Sequence, residues 1–226
     1  MTTLIDLLAT RRCLLLDFDG PICTVFAGAS NREAATMLAS VLDSPLPEEI
    51  ADTNDPFDVL QYAASLGPIT AAAVERRFTE VELHAVKTAQ PTPFTRRFLS
   101  YFAEVAEGIA VVTDNSTAAA TAYFAAHDGY PRWFVNAVHG RTSAEVSLGK
   151  SSPHLLYQAM EQCLATPDEC CFVGDSVSDI KAGQAAGFPV IAFADRPEKV
   201  QRFAEHSPAA IITSMEELSD AAALLL

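Results

Sequence analysis

Two aspartates at the end of an apolar run are the first residues of this chain that could do chemistry. Asp17 lies near the end of the run CLLLDF at 13–18, and Asp19 follows it; the run predicts a buried strand ending in a tight turn. Side chains two residues apart face the same side of a strand, so the two carboxylates are neighbours. Neighbouring anions repel, and the pair therefore indicates either a shared proton or a bound cation. A polar turn without function is the alternative, because Asp-Gly is a common turn signal.

A second pair of carboxylates follows another apolar run. Asp175 and Asp179 lie four residues apart in FVGDSVSDI, where the chain passes from a predicted strand into a predicted helix. Both could face one site. Asp175 would also serve as a helix N-cap, and Asp179 as a first-turn carboxylate favoured by the helix dipole. The local sequence leaves both interpretations open.

The segment VVTDNS offers groups suited to a phosphate. The hydroxyl of Thr113 could donate to a phosphate oxygen, and the backbone N–H groups that follow open a helix and add donors. Asp114, Asn115 and Ser116 are equally good capping residues for a helix that begins near Thr117. Capping and phosphate binding can coexist here.

A lysine stands before another predicted helix. Lys150 precedes Ser152, which can cap, and Pro153, which can take the first helical position. The helix dipole disfavours a cation at this end, so stability explains the lysine poorly. A role facing phosphate or the carboxylates is the functional interpretation, and a solvated loop lysine is the alternative.

The elements that must position these residues alternate along the second half of the chain. Continuous apolar runs predict buried strands, and helical patterns separate them. The predicted strands are 13–18, 109–114, 170–175, 189–194 and 209–214. We therefore expect an α/β fold with a doubly wound parallel sheet, whose ligands bind beyond the carboxyl ends of the strands.

The stretch from about 28 to 90 breaks this alternation. It holds three helical patterns, NREAATMLASVL, DPFDVLQYAASL and ITAAAVERRFTEVELHAVKTA, separated by Pro and Gly. We expect residues 1–24 and 91–226 to form the α/β core and residues 25–90 to form an inserted helical domain.

Composition excludes several function classes. The 226 residues carry a formal net charge of -14 with 15 Lys and Arg, which disfavours binding to nucleic acid. No run reaches the roughly 18 apolar residues of a membrane span, and no export signal is evident. Five cysteines without metal-site spacing suit a reducing cytoplasm.

Four motifs in chain order, LLLDFDG, VVTDNS, LGKSSP and FVGDSVSD, resemble those of the haloacid dehalogenase superfamily. The likeness spans most of the chain, and the insertion after the first motif is similar to that family's helical cap. The arrangement resembles phosphoglycolate-phosphatase-like and phosphosugar-mutase-like members. The resemblance implies a phosphatase acting on a small phosphorylated metabolite, as a monomer or homodimer.

The resemblance also implies roles for individual residues. Asp17 would be the nucleophile that becomes an aspartyl-phosphate, and Asp19 the acid that protonates the leaving oxygen and later activates water. Thr113 and Lys150 would hold the phosphoryl oxygens, with Asp114 and Asn115 beside Thr113.

A metal site is the second implication of the family likeness. Mg²⁺ would be bound by Asp17, by the backbone carbonyl of Asp19 and by Asp175. Asp179 would be a further ligand or would orient Lys150.

Alternatives remain within and outside the family. A phosphosugar mutase would use the same residues, and a phosphonate-cleaving relative would need a cap lysine, for which Lys87 is the sole candidate. Dehalogenating members lack the second aspartate that Asp19 supplies. A non-catalytic regulatory or binding module is the alternative from another class. The cap's cationic candidates for substrate contact are Arg32, Arg76, Arg77 and Lys87.

Overall fold

A six-stranded parallel sheet forms the centre of the molecule in the computed structural model, which describes residues 3–28, 30–130, 134, 137–142 and 152–226. In spatial order the strands are β5 (Val138–Arg141), β4 (Gly108–Ser116), β1 (Cys13–Leu16), β6 (Cys170–Gly174), β7 (Val190–Phe193) and β8 (Ala210–Ile212). Every neighbouring pair is parallel. The doubly wound α/β fold and all five predicted strands are confirmed.

Strand β1 lies between β4 and β6 and is covered on both faces. Leu14 and Leu16 pack into one apolar layer, and Cys13 and Leu15 pack into the other. All four residues are at most 1% exposed. Continuous apolar sequence is what a strand buried on both faces requires, which explains why this element was predictable.

Helices cover both faces of the sheet. They are α1 (Leu4–Ala9), α5 (Thr95–Phe102), α6 (Thr117–Ala126), α7 (His154–Gln162), α8 (Val177–Ala186), α9 (Pro197–Ala204) and α10 (Met215–Ala223). Within the described ranges, no helix combines the length and apolar character needed to cross a membrane. All five cysteines are free thiols.

Three further helices lie between β1 and β4 in the chain: α2 (Asn31–Ala39), α3 (Pro56–Leu66) and α4 (Pro68–Ala85). They share an apolar cluster of their own, which includes Leu38, Leu60 and Phe78. Their starts follow ordinary capping rules, because Ser30 forms a capping box for α2 and Asp55 caps α3. The three predicted helices are therefore present.

The chain enters and leaves this helical insertion side by side. Strands β2 (Cys23–Thr24) and β3 (Gln90–Pro91) pair antiparallel, with Cys23 opposite Pro91 and Thr24 opposite Gln90. Neither two-residue strand was predicted, because such short segments carry no periodic signal.

Two local expectations were wrong. Pro153 occupies the N-cap position of α7 rather than the first helical position, and Ser152 Oγ accepts from the His154 N–H at 3.4 Å. The N-cap of α8 is Ser176, not Asp175. Both errors are one-residue shifts of a helix start, which sequence signals locate least well.

Candidate active site

Three neighbouring strands deliver polar residues to one end of the sheet. Asp17 follows β1, Thr113 lies near the end of β4, and Asp175 follows β6. Strand order reverses around β1, because the chain builds outward first through β4 and then through β6. Such a reversal leaves a crevice beyond the carboxyl ends of the strands. A cavity of about 850 Å³ opens there and is lined by all three residues and by Asp19.

Three carboxylates converge at this end of the sheet, where Asp17 and Asp175 line the cavity and Asp179 lies buried beside them. One oxygen each of Asp17, Asp175 and Asp179 lies within 4.8 Å of the other two. Asp17 is 2% exposed, and its Oδ1 accepts from the Phe18 N–H at 2.5 Å. A set of carboxylate oxygens at this spacing suits a hard divalent cation such as Mg²⁺.

Asp179 also has a structural role. Its Oδ2 accepts from Ser176 Oγ at 2.6 Å and from the Ser176 N–H at 3.0 Å, while the Ser176 hydroxyl accepts from the Asp179 N–H. This reciprocal capping box starts α8. Gly174 permits it, because a Cβ there would lie 2.4 Å from the Cβ of Asp179.

The turn after β1 brings Asp19 to the cavity. Its Oδ1 accepts from the Val25 N–H at 2.9 Å. Gly20 adopts a φ of +105°, and a Cβ at this position would lie 2.5 Å from Cγ of Asp175. Glycine is therefore required both for the backbone conformation and for the close approach of Asp175. The hydroxyl of Thr92 anchors the turn by donating to the Gly20 carbonyl at 2.5 Å.

The loop at the end of β4 lines the same cavity with Thr113, Asp114 and Asn115. Thr113 is buried, and its hydroxyl donates to Oδ1 of Asn115 and accepts from the Asn115 N–H, both at 3.1 Å. Ser116 caps α6, whose first residue is Thr117 as predicted. Capping and an orientation towards the cavity do coexist in this loop.

The predicted lysine, Lys150, lies outside the described residues. A second lysine was missed. Lys199, in the first turn of α9, places Nζ 2.6 Å from Oδ2 of Asp175 and 2.6 Å from Oδ1 of Asp195. Burial alone would lower the pKa of Lys199, but the two carboxylates outweigh it and raise that pKa. The dipole argument that drew attention to Lys150 applies equally to Lys199, but α9 itself was not predicted.

A buried ion pair connects the insertion to the sheet. Glu82 of α4 is fully buried, and its carboxylate accepts from Nη2 of Arg141 at 3.0 Å. It also accepts from Asn115 Nδ2 at 3.1 Å and from the Ser116 N–H at 2.9 Å. Burial raises the pKa of Glu82, and these donors partly offset the rise. Arg141 further donates to the Asp114 carbonyl at 2.9 Å.

The cationic candidates proposed for the insertion do not reach the site. None of Arg32, Arg76, Arg77 and Lys87 is among the described residues that line the cavity. Arg32 pairs with Asp52 at 2.8 Å on the exposed surface. Charged side chains on a helix surface are usually solvated, and this accounts for such residues.

Comparison with known proteins identifies the family of this chain. A family model described as haloacid dehalogenase-like hydrolase matches residues 12–187. The bifunctional riboflavin kinase/FMN phosphatase of Arabidopsis thaliana is 26% identical over 187 residues, 82% of this chain and 42% of that protein. The β-phosphoglucomutase of Mycobacterium tuberculosis is 30% identical over 134 residues, 58% of this chain and 50% of that protein. The chain spans about half the length of these curated relatives.

Solved structures share the fold. CbbY from Rhodobacter sphaeroides, in complex with phosphate, superposes with a TM-score of 0.68 and 19% identity, covering 92% of this chain and 96% of that chain. A hydrolase from Pseudomonas syringae superposes with a TM-score of 0.71 and 16% identity, covering 93% and 97%. At such identities the likeness concerns architecture, and chemistry must be argued from the residues.

Proposed function

The chain belongs to the haloacid dehalogenase-like hydrolases, whose model matches residues 12–187, and from this premise we propose that it is a magnesium-dependent phosphatase of a small phosphomonoester. The observation that carries the proposal is the convergence of the Asp17, Asp175 and Asp179 carboxylates within 4.8 Å. Asp19 and Thr113 line the same cavity. The FMN phosphatase activity named for the Arabidopsis relative supports this reaction class.

The reaction proceeds in two transfers. A carboxylate oxygen of Asp17 attacks phosphorus, the bond from phosphorus to the ester oxygen breaks, and Asp19 gives its proton to the departing oxygen. An aspartyl-phosphate on Asp17 results. Asp19, now ionised, takes a proton from water as the water oxygen attacks phosphorus. Inorganic phosphate leaves, and both carboxyl groups return to their starting states.

The carboxylates of Asp17, Asp175 and Asp179 and the backbone carbonyl of Asp19 would hold Mg²⁺. When bound, the ion supplies positive charge that lets a phosphate dianion approach Asp17. The donor set fits Mg²⁺, because all four groups are hard oxygen ligands. The oxygens of the three carboxylates lie within 4.8 Å of one another.

The phosphoryl oxygens are bound opposite the carboxylates. Thr113, Asp114 and Asn115 line the cavity at the end of β4, and the Thr113 hydroxyl would turn from Oδ1 of Asn115 to donate to a phosphoryl oxygen. Lys150 supplies the cation that the family motif assigns to this role. Together these groups orient phosphorus in line with the Asp17 carboxylate.

Residues 25–90 act as a cap over this site, with residues 1–24 and 91–226 as the catalytic core. Phe57, Leu60 and Gln61 of α3 line the cavity, which supports a role in excluding bulk water and contacting substrate. The enzyme works in the reducing cytoplasm, for which five free cysteines are suited.

A phosphosugar mutase is the second candidate, and the 30% identity with β-phosphoglucomutase over 134 residues favours it. The same Asp17 phosphate would then pass to a second sugar hydroxyl in place of water. Isomerisation of a sugar phosphate without release of inorganic phosphate would distinguish this reaction.

Release of inorganic phosphate from p-nitrophenyl phosphate and from a panel of phosphomonoesters tests the proposal. Magnesium-dependent release is expected in the wild type and is expected to vanish with chelator or in Asp17→Asn. Asp128→Asn, at an exposed loop position, is the matched control and should keep full activity. Full turnover by folded Asp17→Asn would refute the nucleophile, and an inactive wild type with every ester would refute the phosphatase.

A further inference from the structure

The cavity wall away from the aspartates has a distinct chemistry. The segment that leads into α3 and the first turns of that helix contribute Asn54, Pro56, Phe57, Leu60 and Gln61. The core contributes Val138, Leu155 and Gln158 on the other side. These residues combine apolar surface with neutral amide groups, with Asp55, His139 and His154 beside them in the lining, and the alcohol part of a phosphomonoester would lie here.

The wall provides little positive charge for a second anion. Arg141 is the one Arg or Lys among the described residues that line the cavity. Its guanidinium lies 3.0 Å from Glu82 and 3.3 Å from Glu75, and its side chain is 9% exposed. One cation facing two carboxylates leaves this group with a net charge of -1. A second phosphate or a carboxylate placed there would lose hydration without a compensating partner.

The ranges outside the described residues also carry charge. In sequence they contain two basic residues, Arg132 and Lys150. Lys150 is already assigned to the transferred phosphoryl group. Besides Arg141, the described lining side chains that could carry positive charge are the imidazoles of His139 and His154, so no fully charged Lys or Arg without carboxylate partners faces this wall.

An aromatic ring supports the apolar part of the wall. Phe57 lines the cavity, and its ring packs edge-on against Phe78 with centroids 5.0 Å apart. Phe78 in turn lies under the guanidinium of Arg141, 4.2 Å from its centroid. Gln61 follows Phe57 by four residues and so lies on the same helix face. A rigid ring with an amide beside it suits a ligand with a flat apolar face and polar edges.

Resting on the proposed phosphatase activity, we propose that the leaving group is an uncharged alcohol that carries a flat heterocyclic ring, as in a nucleoside or flavin monophosphate. The cavity of about 850 Å³ lies within the roughly 300–1,000 Å³ of sites for ligands of this size. Substrates with a second phosphate or a carboxylate are predicted to be poor.

The test compares kcat/KM across four groups of compounds with Mg²⁺ present. These are nucleoside and flavin monophosphates, sugar monophosphates, substrates with a second anion (phosphoglycolate and fructose 1,6-bisphosphate), and acetyl phosphate as a probe of the chemistry alone. The ring-bearing compounds are expected to exceed the doubly anionic ones by at least tenfold. Phe57→Ala should lower kcat/KM for them by roughly 5- to 150-fold, the usual cost of losing one stacking contact.

Two variants make this test specific. Tyr62→Ala removes an aromatic side chain from the same helix at a position that does not line the cavity, and it should leave the ranking unchanged. Gln61→Lys adds a cation to an exposed position of the wall and should raise kcat/KM for phosphoglycolate and the bisphosphate. It tests the charge argument even if Phe57→Ala fails to fold.

The outcomes separate the two proposals. Turnover of acetyl phosphate with preference for the doubly anionic compounds, or equal turnover of sugar and nucleoside monophosphates, would overturn the substrate class and leave the phosphatase intact. No effect of Phe57→Ala on the ring-bearing compounds would also overturn it. Failure to hydrolyse any compound, including acetyl phosphate, would remove both proposals.

Discussion

The carboxylate of Glu82 lies 3.0 Å from the guanidinium of Arg141, and this contact joins helix α4 of the insertion to the edge strand β5 of the sheet. Because Glu82 also accepts from Asn115 and Ser116, the same carboxylate holds the loop at the end of β4. One buried carboxylate therefore contacts both the edge strand and the loop at the end of β4.

Removing Arg141, the cation of this pair, should lower the stability of the fold. Arg141→Met leaves Glu82 buried next to Glu75 without its positive partner, and we expect the free energy of unfolding to fall by about 3–5 kcal/mol. Urea denaturation measures this change. Arg77→Met, which removes an exposed partner of Glu80, should cost at most about 0.5 kcal/mol. Equal losses in the two variants would contradict the importance of the buried pair.

The same carboxylate predicts a pH dependence of stability. Since burial raises the folded-state pKa of Glu82 above its ordinary 4.5, the folded protein binds this proton more tightly than the unfolded chain. The stability contributed by this difference is fully present below about pH 4.5 and is lost as pH rises through the folded-state pKa. Subtracting the free energy of unfolding of Glu82→Gln from that of wild type isolates the contribution of Glu82 from those of the other carboxylates. Between pH 4.5 and 7.5 we expect wild type to lose stability relative to Glu82→Gln. A difference that does not change with pH would count against the raised pKa.

Glycine at position 20 should matter more for metal binding than for folding. Gly20→Ala adds a methyl group that would lie 2.5 Å from Cγ of Asp175, in a backbone with φ of +105°. Gly67→Ala is a matched control, because Gly67 has φ of +124° and no atom within 4 Å of the added carbon. Both should lose roughly 1 kcal/mol or more from backbone strain.

Mg²⁺ response then distinguishes the two glycine variants. At 100 times the dissociation constant a ligand stabilises by about 2.7 kcal/mol, or roughly 5–10 °C in Tm for a chain of this size. Thermal melts should show this rise in Gly67→Ala and little of it in Gly20→Ala. A full response in Gly20→Ala would show that Asp175 does not need its present position.

The position of Lys199 beside Asp175 predicts that Mg²⁺ can replace the positive charge of this lysine. Lys199→Met removes positive charge 2.6 Å from Asp175 and should lower the Tm of the metal-free protein, because the gathered carboxylates then repel more strongly. Mg²⁺ restores the missing charge, so its addition should raise Tm more in this variant than in wild type. Lys181→Met, at an exposed position of α8, should behave as wild type. Identical increments in all three proteins would argue against the interpretation.

Sequence reasoning succeeded where local patterns determine structure. Strand β1 was predictable because both its faces are buried, and α6 because Ser116 supplies a cap. Strand β5 was missed, since the sequence VHGR of Val138–Arg141 has no apolar run and lies at the sheet edge.

Long-range polar partners were beyond local signals. Glu82 and Arg141 are 59 residues apart, and Lys199 meets Asp175 across 24 residues. No spacing rule encodes such pairs, because the fold brings them together. The carboxylate cluster was predictable only because parallel strands bring their carboxyl ends to one edge.

The pairing of Thr24 with Gln90 has a consequence for how such enzymes diversify. Since the insertion begins and ends at adjacent points, its length and sequence can change without shifting the register of any strand in the sheet. The helical insertion and the sheet are thereby separable, so that one insertion could be exchanged for another on an unaltered sheet. A chimaera made by joining a foreign helical insertion at these two positions should keep the site at the strand ends and acquire a different range of substrates.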